Sequence, residues 1–328
     1  MSTRPRPKGL GTMRAAVGRG AMHPLCRLHP DRRMVVALIL GGLGTASGLV
    51  VPLSAARPTE ALAGMVLPRV SNGEPVDLGA ALRASGGSDG SKRTLLVLGT
   101  HAADFNTAEY GIKVRAAWPE LQQKGVERCL MVVNGQPSSC AKLAELLDLP
   151  DAFELLADPT GEAGRRFGVS RGFRPDDARL SPFVKLFAMG IGVGPPWMTL
   201  PAVLSGYIGS PSGSNRWIEA GLKQGQLADR WPTILELAED GSVAYNKFAR
   251  TPLLGGWGIR PFETATLRLQ TLVGVQARHW EALKPVDDRC LTQLGGCTIV
   301  GAAGECIFSW VDRGLCDVPD MEAVLKSL

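Results

Sequence analysis

Cysteine thiols are the side chains of this sequence with the broadest reactive chemistry. The chain has seven cysteines among 328 residues. Cys26 lies in a basic leader that we expect to be removed, which leaves six. An even number of cysteines suits an oxidising compartment, where thiols pair as disulfides. The six are Cys129, Cys140, Cys290, Cys297, Cys306 and Cys316.

Cys140 is the best candidate for a catalytic thiol. It follows Ser138 and Ser139, which we expect to cap the start of a helix, and the helix dipole lowers the pKa of a thiol at such a position. The alternative is an ordinary, unreactive cysteine at a helix start. Cys129 lies in a predicted central strand and is expected to be an inert core residue. For the four cysteines within residues 290–316 we expect one or two structural disulfides, because their spacing is not that of a zinc site.

Histidines are too few for a histidine metal cluster or a Ser-His-Asp triad. Only His101 and His279 remain beyond the leader, so we expect no metal and no cofactor. His101 follows Thr100 at the end of a predicted strand, near Asp104 and Glu109. Ligands of α/β folds bind at this edge of the sheet, which makes these residues binding candidates. An exposed loop histidine is the alternative interpretation of His101.

The positive charge of the chain is concentrated at its N-terminus. The formal net charge is +5, but the first 33 residues carry seven Arg, one Lys and the single acid Asp31, so the remaining chain is slightly acidic. The chain after the leader is slightly acidic and has no run of basic residues, so it offers no positively charged surface to a phosphate backbone. We therefore expect no nucleic-acid partner. A hydrophobic content of 45% excludes disorder as the state of the whole chain.

The leader has the order of a targeting presequence. The basic stretch to Arg33 precedes the uncharged run 34–51, and Ala61-Leu62-Ala63 supplies a small-residue cleavage site. The long acid-poor stretch resembles a bipartite plastid presequence, and Arg32-Arg33 resembles a twin-arginine signal. We therefore predict a presequence over 1–63, cleaved after Ala63, and a chloroplast location with the thylakoid lumen as a destination. An ordinary secretory signal and a retained anchor are the alternatives.

The body, residues 64–328, alternates short aliphatic runs with helical periodicity, which is typical of an α/β fold. The runs 95–98 and 129–133 predict buried parallel strands joined by a helix over 108–121. Pro261 opens a long helical pattern, at a position where its missing N–H is harmless. Further elements are predicted for a helix over 140–147, a strand over 153–156 and a short helix over 161–167.

Two β-hairpins complete the predicted fold. One follows Trp231-Pro232 and turns at Asp240-Gly241, and the other pairs 298–300 with 307–310. The order predicts a thioredoxin-like mixed sheet with flanking helices and a C-terminal β-hairpin. A largely helical apolar insertion occupies about 171–230, and we expect it to form a buried helix or helical hairpin. A membrane-surface or partner-binding face through 183–208 is the alternative.

Several short sequence motifs resemble those of the AhpC/TSA-type peroxiredoxin-like proteins of cyanobacteria and plastids. They are Asp104-Phe105 with Glu109-Tyr110, Ala157-Asp158-Pro159-Thr160 with Phe167-Gly168-Val169, Arg260-Pro261-Phe262-Glu263 with Ala265-Thr266-Leu267-Arg268-Leu269, and Leu291-Thr292-Gln293 with Gly295-Gly296. The resemblance implies a thioredoxin fold with its site at the end of the strand 95–98. Tyr110 and Arg260 are binding candidates on this ground. Pro232 is another, because Trp231-Pro232 is similar to the cis-proline element that faces the active-site loop in thioredoxins.

The thiol that this resemblance leads one to expect is absent. A thiol peroxidase needs a cysteine on the first helical turn after the strand, where the helix dipole and an arginine stabilise the thiolate. Residues 101–110 contain none, and the thiol position falls at about Glu109, whose carboxylate would repel a hydroperoxide anion. We therefore predict a plastid peroxiredoxin-like protein that acts as a binding or assembly scaffold for an unidentified protein partner. The alternative is an atypical thiol oxidoreductase that uses Cys140 or the C-terminal cysteines.

Overall fold

The structure is a computed structural model. It describes residues 57–83, 92–192, 199–200, 202–203, 216–227, 235–240, 242–247 and 260–328. The predicted basic leader and Pro232 lie outside the described residues.

A mixed five-stranded sheet lies at the centre of the fold. The strands of the chain are β1 (Val66–Pro68), β2 (Pro75–Asp77), β3 (Arg93–His101), β4 (Val126–Asn134), β5 (Phe153–Ala157), β6 (Leu235–Leu237), β7 (Val243–Asn246), β8 (Gly296–Val300) and β9 (Cys306–Val311). The central sheet has the order β5-β4-β3-β8-β9. Strands β3, β4 and β5 are parallel, whereas β8 pairs antiparallel with β3 and β9 antiparallel with β8. This arrangement confirms the predicted thioredoxin-like fold class.

Helices cover the sheet and connect its parallel strands. They are α1 (Pro58–Ala61), α2 (Leu78–Arg83), α3 (Phe105–Gln123), α4 (Pro137–Leu147), α5 (Glu162–Phe167), α6 (Pro182–Gly190), α7 (Arg216–Leu227), α8 (Arg260–Thr266), α9 (Val273–Leu283) and α10 (Met321–Lys326). A π-helical turn, Leu267–Leu272, joins α8 to α9, so the long helical pattern predicted from Pro261 is confirmed. Among the described residues, no helix is both long enough and apolar enough to span a membrane.

The aliphatic runs form the central strands because both faces of the sheet are buried. Leu95 and Val97 point to one face and belong to the larger core cluster, with residues of α3, α4 and α9. Leu96 and Leu98 point to the opposite face and pack with Leu62, which follows α1, and with residues of α2 and α5. Uninterrupted apolar runs are what parallel strands covered on both sides require.

The Asp-Pro-Thr turn after β5 has a structural role. Asp158 Oδ1 accepts hydrogen bonds from the backbone N–H and the hydroxyl of Thr160, and its Oδ2 accepts one from the N–H of Ala163 at 2.8 Å. These N–H groups belong to the turn and to the start of α5, where no partner is available within the helix. The carboxylate therefore fixes the strand-to-helix connection.

The two predicted hairpins exist, but they have different places in the fold. The hairpin of β6 and β7 forms a separate two-stranded sheet, and the C-terminal hairpin of β8 and β9 completes the central sheet. Burial distinguishes the two hairpins: every residue of β8 is buried, whereas Tyr245 in β7 is exposed. The predicted place of Pro232 opposite the end of β3 stays a prediction.

The described part of the insertion 171–230 contains α6 and α7. In α6, Met189 and Lys185 are buried, and Lys185 Nζ donates a hydrogen bond to the carbonyl oxygen of Pro175 at 2.9 Å. Phe183 and Phe187 stack on each other and remain exposed. The helix is therefore only partly buried, whereas the sequence predicted a buried helix or helical hairpin for this segment.

The residues before the predicted cleavage site take part in the fold. Helix α1 precedes Leu62, which is fully buried and packs in the core cluster that also contains Leu78 and Leu82. Cleavage after Ala63 would remove Leu62 from this cluster.

Candidate functional site

The first turn of α3 follows the central strand β3 directly. The helix begins at Phe105, and Asp104 is its N-cap residue. Asp104 Oδ1 accepts a hydrogen bond from the backbone N–H of Asn106 at 3.0 Å. The hydroxyls of Thr100 and Thr107 are 2.8 Å apart and hydrogen-bonded in the buried space beside this turn. Because first-turn N–H groups have no partner within a helix, the Asp104 carboxylate takes a donor that a bound anion would otherwise use.

Glu109 forms a buried ion pair with two cations. Its two carboxylate oxygens accept hydrogen bonds from Nε and Nη2 of Arg268, each at 2.7 Å, and Lys113 Nζ lies 2.9 Å from Oε1. Burial alone would raise the pKa of Glu109, but Arg268 and Lys113 outweigh this effect and lower the pKa to about 2. Glu109 is therefore ionised at neutral pH, and its charge is matched by a bidentate guanidinium.

Glu109 lies in the second turn of α3, since the helix begins four residues earlier. The first-turn position that the sequence suggested for it belongs to Asp104, Asn106 and Thr107 instead. Sequence reasoning also missed Arg268 and Lys113. A signal for Lys113 was present, because Glu109 and Lys113 have the i,i+4 spacing of a helical ion pair.

Tyr110 belongs to a second buried polar pair. Its hydroxyl donates a hydrogen bond to Oδ1 of Asp312 at 2.5 Å, and both side chains are almost fully buried. Burial raises the pKa of Asp312 well above its usual value, although the hydrogen bond from Tyr110 opposes the shift. Burial and the nearby Asp312 raise the pKa of Tyr110. Asp312 follows β9, and nothing in its local sequence marks it as a partner of Tyr110.

His101 is the last residue of β3 and is completely buried. Its ring and that of Trp280 form a T-shaped pair with the ring centroids 6.3 Å apart. Neither ring nitrogen has a hydrogen-bond partner within the described part of the chain. Burial lowers the pKa of His101, against the opposing effect of Asp104, so the ring is neutral at pH 7. The interpretation of His101 as an exposed loop residue is wrong.

The structure thus brings five predicted binding residues into one buried region, namely Thr100, His101, Asp104, Glu109 and Tyr110. Arg260 begins α8, and its side chain lies outside what the structure describes. Pro232 is outside the described residues as well, so its predicted cis peptide bond stays a prediction.

Cys140 is buried in the core. Helix α4 begins at Pro137 with Gln136 as its N-cap residue, so Ser138 and Ser139 are helical residues and do not cap the helix as predicted. The Sγ atom of Cys140 faces inward and lies 3.8 Å from the carbonyl oxygen of Val133. Burial raises its pKa to about 12, and Asp158 adds to the shift. The predicted lowering of this pKa is wrong, because desolvation outweighs the helix dipole.

All six cysteines of the body are free thiols. The disulfides predicted within residues 290–316 do not form, and strand register explains this for one pair. Cys297 lies opposite Trp310, and Cys306 lies opposite Val300, so the two cysteines are not cross-strand neighbours. Cys129 is fully buried as predicted, and burial raises its pKa.

Cys316 is the C-terminal cysteine that lies against the first turn of α3. Its backbone N–H donates to Oδ1 of Asn106 at 2.9 Å, and Arg268 Nη2 lies 3.5 Å from its carbonyl oxygen. The residue is partly exposed and has φ of 65°, which is unusual for a residue with a side chain. Burial raises the pKa of its thiol to about 12, although Arg268 acts in the opposite direction.

Among the described residues, no group of three or more His, Cys, Asp and Glu side chains could hold a metal ion.

A comparison with protein families matches residues 113–314 to the model described as AhpC/TSA antioxidant enzyme. The matched region begins inside α3 and includes Arg268 and Asp312, whereas Asp104, Glu109 and Cys316 lie outside it. The searches of curated proteins and of solved structures found no match.

Proposed function

Because this chain belongs to the AhpC/TSA antioxidant enzyme family, we propose that it is a peroxiredoxin-like protein that has lost its peroxidatic cysteine. Its thioredoxin-like fold then serves as a binding or assembly scaffold for a protein partner in a plastid. The proposal concerns the end of β3 and the first two turns of α3.

The observation that carries the proposal is the presence of two carboxylates where a reactive thiolate needs positive potential. Asp104 accepts the N–H of Asn106 at the start of α3. Glu109 accepts hydrogen bonds from Nε and Nη2 of Arg268. A thiolate is stabilised by helix N–H groups and by nearby cations. The two carboxylates already occupy such groups, because Asp104 accepts a helix N–H and Glu109 pairs with Arg268. The Asp104 carboxylate also opposes the approach of a hydroperoxide anion, whereas the charge of Glu109 is matched by Arg268 and Lys113.

The thiols elsewhere in the fold support the same proposal. Cys129, Cys140 and Cys297 are at most 1% exposed, and burial raises the pKa of each. The thiolate is the nucleophile in thiol chemistry, so a thiol with a raised pKa reacts slowly at neutral pH. A buried thiol is also inaccessible to a large reducing partner.

The second candidate function is an atypical thiol oxidoreductase, and Cys316 is the observation that favours it. This thiol is partly exposed and belongs to the residue whose carbonyl oxygen approaches Arg268. Its raised pKa argues against a fast reaction in the conformation described.

Stopped-flow measurement of peroxide consumption with a thioredoxin reducing system tests these two candidates. We expect the protein to consume hydrogen peroxide no faster than a free thiol of similar pKa, and Cys140→Ser and Cys316→Ser to change the rate little. Cys129→Ser is the matched control for a fully buried thiol. A saturable turnover that Cys316→Ser or Cys140→Ser abolishes would overturn the scaffold proposal and favour the oxidoreductase.

Import into a plastid is supported by the basic, acid-poor leader and by the uncharged run that follows it. Fractionation of the native cells and N-terminal sequencing of the native protein test this part of the proposal. We expect a mature chain in the organelle that lacks the basic leader. A protein that keeps its residues before Met34, or that is recovered from the medium, contradicts it.

The scaffold role predicts a stable protein partner. Affinity capture of the tagged protein from the isolated organelle, followed by mass spectrometry, should recover the same partner in repeated purifications. Recovery of the partner should persist with Cys140→Ser and Cys316→Ser, because scaffolding needs no thiol. Loss of the partner with a thiol variant would contradict a thiol-independent scaffold.

A further inference from the structure

A cavity of about 700 Å³ lies between the start of α4 and the segment that follows α9. Gln136, Ser138 and Ser139 line one side of the cavity, and Lys284 and Val286 line the other. Volumes of this order accommodate small organic ligands. The cavity is distinct from the Glu109 and Arg268 pair, and none of its lining residues has a part in the proposed function.

The helix that opens onto this cavity begins without a side-chain cap. Gln136 is the N-cap residue of α4, and its side chain makes no capping hydrogen bond. Pro137 has no N–H, so Ser138 and Ser139 supply the first backbone donors of the helix. Within the described residues, neither N–H has an acceptor. Such a helix start presents free N–H groups and a positive dipole end to an anion.

The side chain of Ser139 is an independent sign of a ligand site. Ser139 is only 7% exposed, and it lines the cavity. Its hydroxyl makes no hydrogen bond to any described residue and borders the open space of the cavity. A hydroxyl on a side chain this little exposed is normally hydrogen-bonded. A ligand oxygen in the cavity would give this hydroxyl a partner.

The side-chain amide nitrogen of Asn134 is also buried without a hydrogen-bond partner in the described part of the chain. Asn134, the last residue of β4, is 1% exposed, and its Nδ2 has no partner among the described residues. Asn134 and Ser139 are thus two side-chain donors without acceptors within the described ranges, one on each side of Gln136 in the segment that leads from β4 into α4.

The charges around the cavity restrict how a ligand is recognised. Lys142 pairs with Glu145 at 2.8 Å, and Lys284 pairs with Glu281 at 2.6 Å. Asp288 adds a further carboxylate to the lining, so the formal charges of the lining side chains cancel and net charge alone does not attract a ligand. Recognition must come from the directed N–H and hydroxyl donors of α4. Val286 is 62% exposed on the opposite wall and offers apolar surface to the rest of the ligand.

We propose that this cavity is a binding site for a small organic anion whose phosphate or carboxylate group accepts hydrogen bonds from the backbone N–H groups of Ser138 and Ser139 and from the Ser139 hydroxyl. The body of the ligand lies against Pro285 and Val286. The inference goes beyond the proposed function and stands without it, because it uses none of the residues at the start of α3.

Titration of the ¹⁵N-labelled full chain by NMR, with inorganic phosphate and separately with sodium acetate at constant ionic strength, tests the proposal. The two probes distinguish a phosphate from a carboxylate site. We expect saturable shifts of the Ser138 and Ser139 amide signals with at least one probe and not with chloride. The first 33 residues carry seven Arg and one Lys, which attract anions by charge alone, so the measurement must be resolved by residue.

Helix α6 supplies an internal control. It also begins with proline, but Ser181 Oγ accepts the N–H of Val184 and so caps it. The Val184 amide signal should therefore not shift in a saturable way.

Three variants complete the test. Gln136→Asp places a carboxylate at the N-cap, which stabilises the helix and occupies the same donors, so it should reduce probe affinity at least tenfold while the protein remains folded. Gln122→Asp makes the same charge change on the exposed side of α3 and should leave the affinity within twofold. Ser139→Ala should weaken binding several-fold. Absence of saturable shifts at Ser138 and Ser139 with both probes, or equal affinity in Gln136→Asp, would overturn the proposal.

Discussion

Arg268 and Glu109 are 159 residues apart in the sequence, and in the fold Nε and Nη2 of the arginine each lie 2.7 Å from a different carboxylate oxygen of the glutamate. Both side chains are nearly or fully buried. The pair ties the π-helical turn after α8 to the second turn of α3. It also places a paired carboxylate and guanidinium in the region where a thiol would be expected.

Substitution of Glu109 by Gln should destabilise the protein strongly. It leaves Arg268 and Lys113 buried without their carboxylate, and loss of one member of a buried pair costs about 3–5 kcal/mol. Urea unfolding at pH 7 measures the free energy of unfolding. Glu74→Gln is the control, because Glu74 pairs with Arg69 on an exposed surface and its loss should cost less than about 1 kcal/mol. Equal costs for the two variants would contradict the assigned role of Glu109.

The stability that Glu109 contributes should disappear in acid. Its pKa in the folded protein is about 2, below the ordinary value of 4.5. A lowered pKa means that the contribution is fully present above about pH 4.5 and is lost as the pH falls through about 2. The difference in unfolding free energy between the wild type and Glu109→Gln should therefore be constant from pH 5 to 7 and narrow below pH 4.5. Urea titrations across this range test it, and a constant difference down to pH 2.5 would be inconsistent with the lowered pKa.

Asp312 should show the opposite pH dependence. Burial raises its folded-state pKa well above 3.8, so its favourable contribution is complete below the unfolded-state pKa and is lost as the pH rises through the folded-state pKa. Asp312→Asn keeps an acceptor for the Tyr110 hydroxyl and removes the ionisation. We expect the variant to gain stability relative to the wild type as the pH rises from 4 to 8, with a slope of at most about 1.4 kcal/mol per pH unit.

Thermal unfolding at pH 4, 6 and 8 gives this comparison. Asp151→Asn, on an exposed residue, is the matched control and should show no such trend. A variant whose stability relative to the wild type is independent of pH would mean that Asp312 is not held protonated in the folded protein.

The position of the native N-terminus can be tested through Leu62. This side chain is fully buried beside Leu78 and Leu82, and truncation of a buried leucine costs about 2–5 kcal/mol. A chain that begins at Arg57 should therefore be more stable to urea than one that begins at Gly64. Leu62→Ala in the longer chain should reproduce most of the difference.

N-terminal sequencing of the native protein is the complementary measurement. From the burial of Leu62 we expect the mature chain to begin at or before Arg57, upstream of the cleavage site that the small residues suggested. A native chain that begins at Gly64 and is as stable as the longer one would contradict this expectation.

Features that depend on local pattern were readable from the sequence alone. The aliphatic run around Leu96 predicts a strand buried on both faces, and Pro261 marks the start of a long helix, because these signals depend on hydrophobicity and backbone geometry within a few residues. The absence of a cysteine from residues 101–110 is likewise a property of the sequence. Local pattern also predicted the α/β order and, with the resemblance, the thioredoxin-like fold class.

Contacts between distant segments were decided only by the tertiary structure. The partner of Glu109 is 159 residues away, and the partner of Tyr110 is 202 residues away. Local sequence contains no information on which of two similar hairpins completes the central sheet, since that depends on which one can bury both faces. The same holds for Cys140: its place near a helix start suggested an activated thiol, but its orientation toward the core removes it from water, and desolvation of the thiolate outweighs the helix dipole.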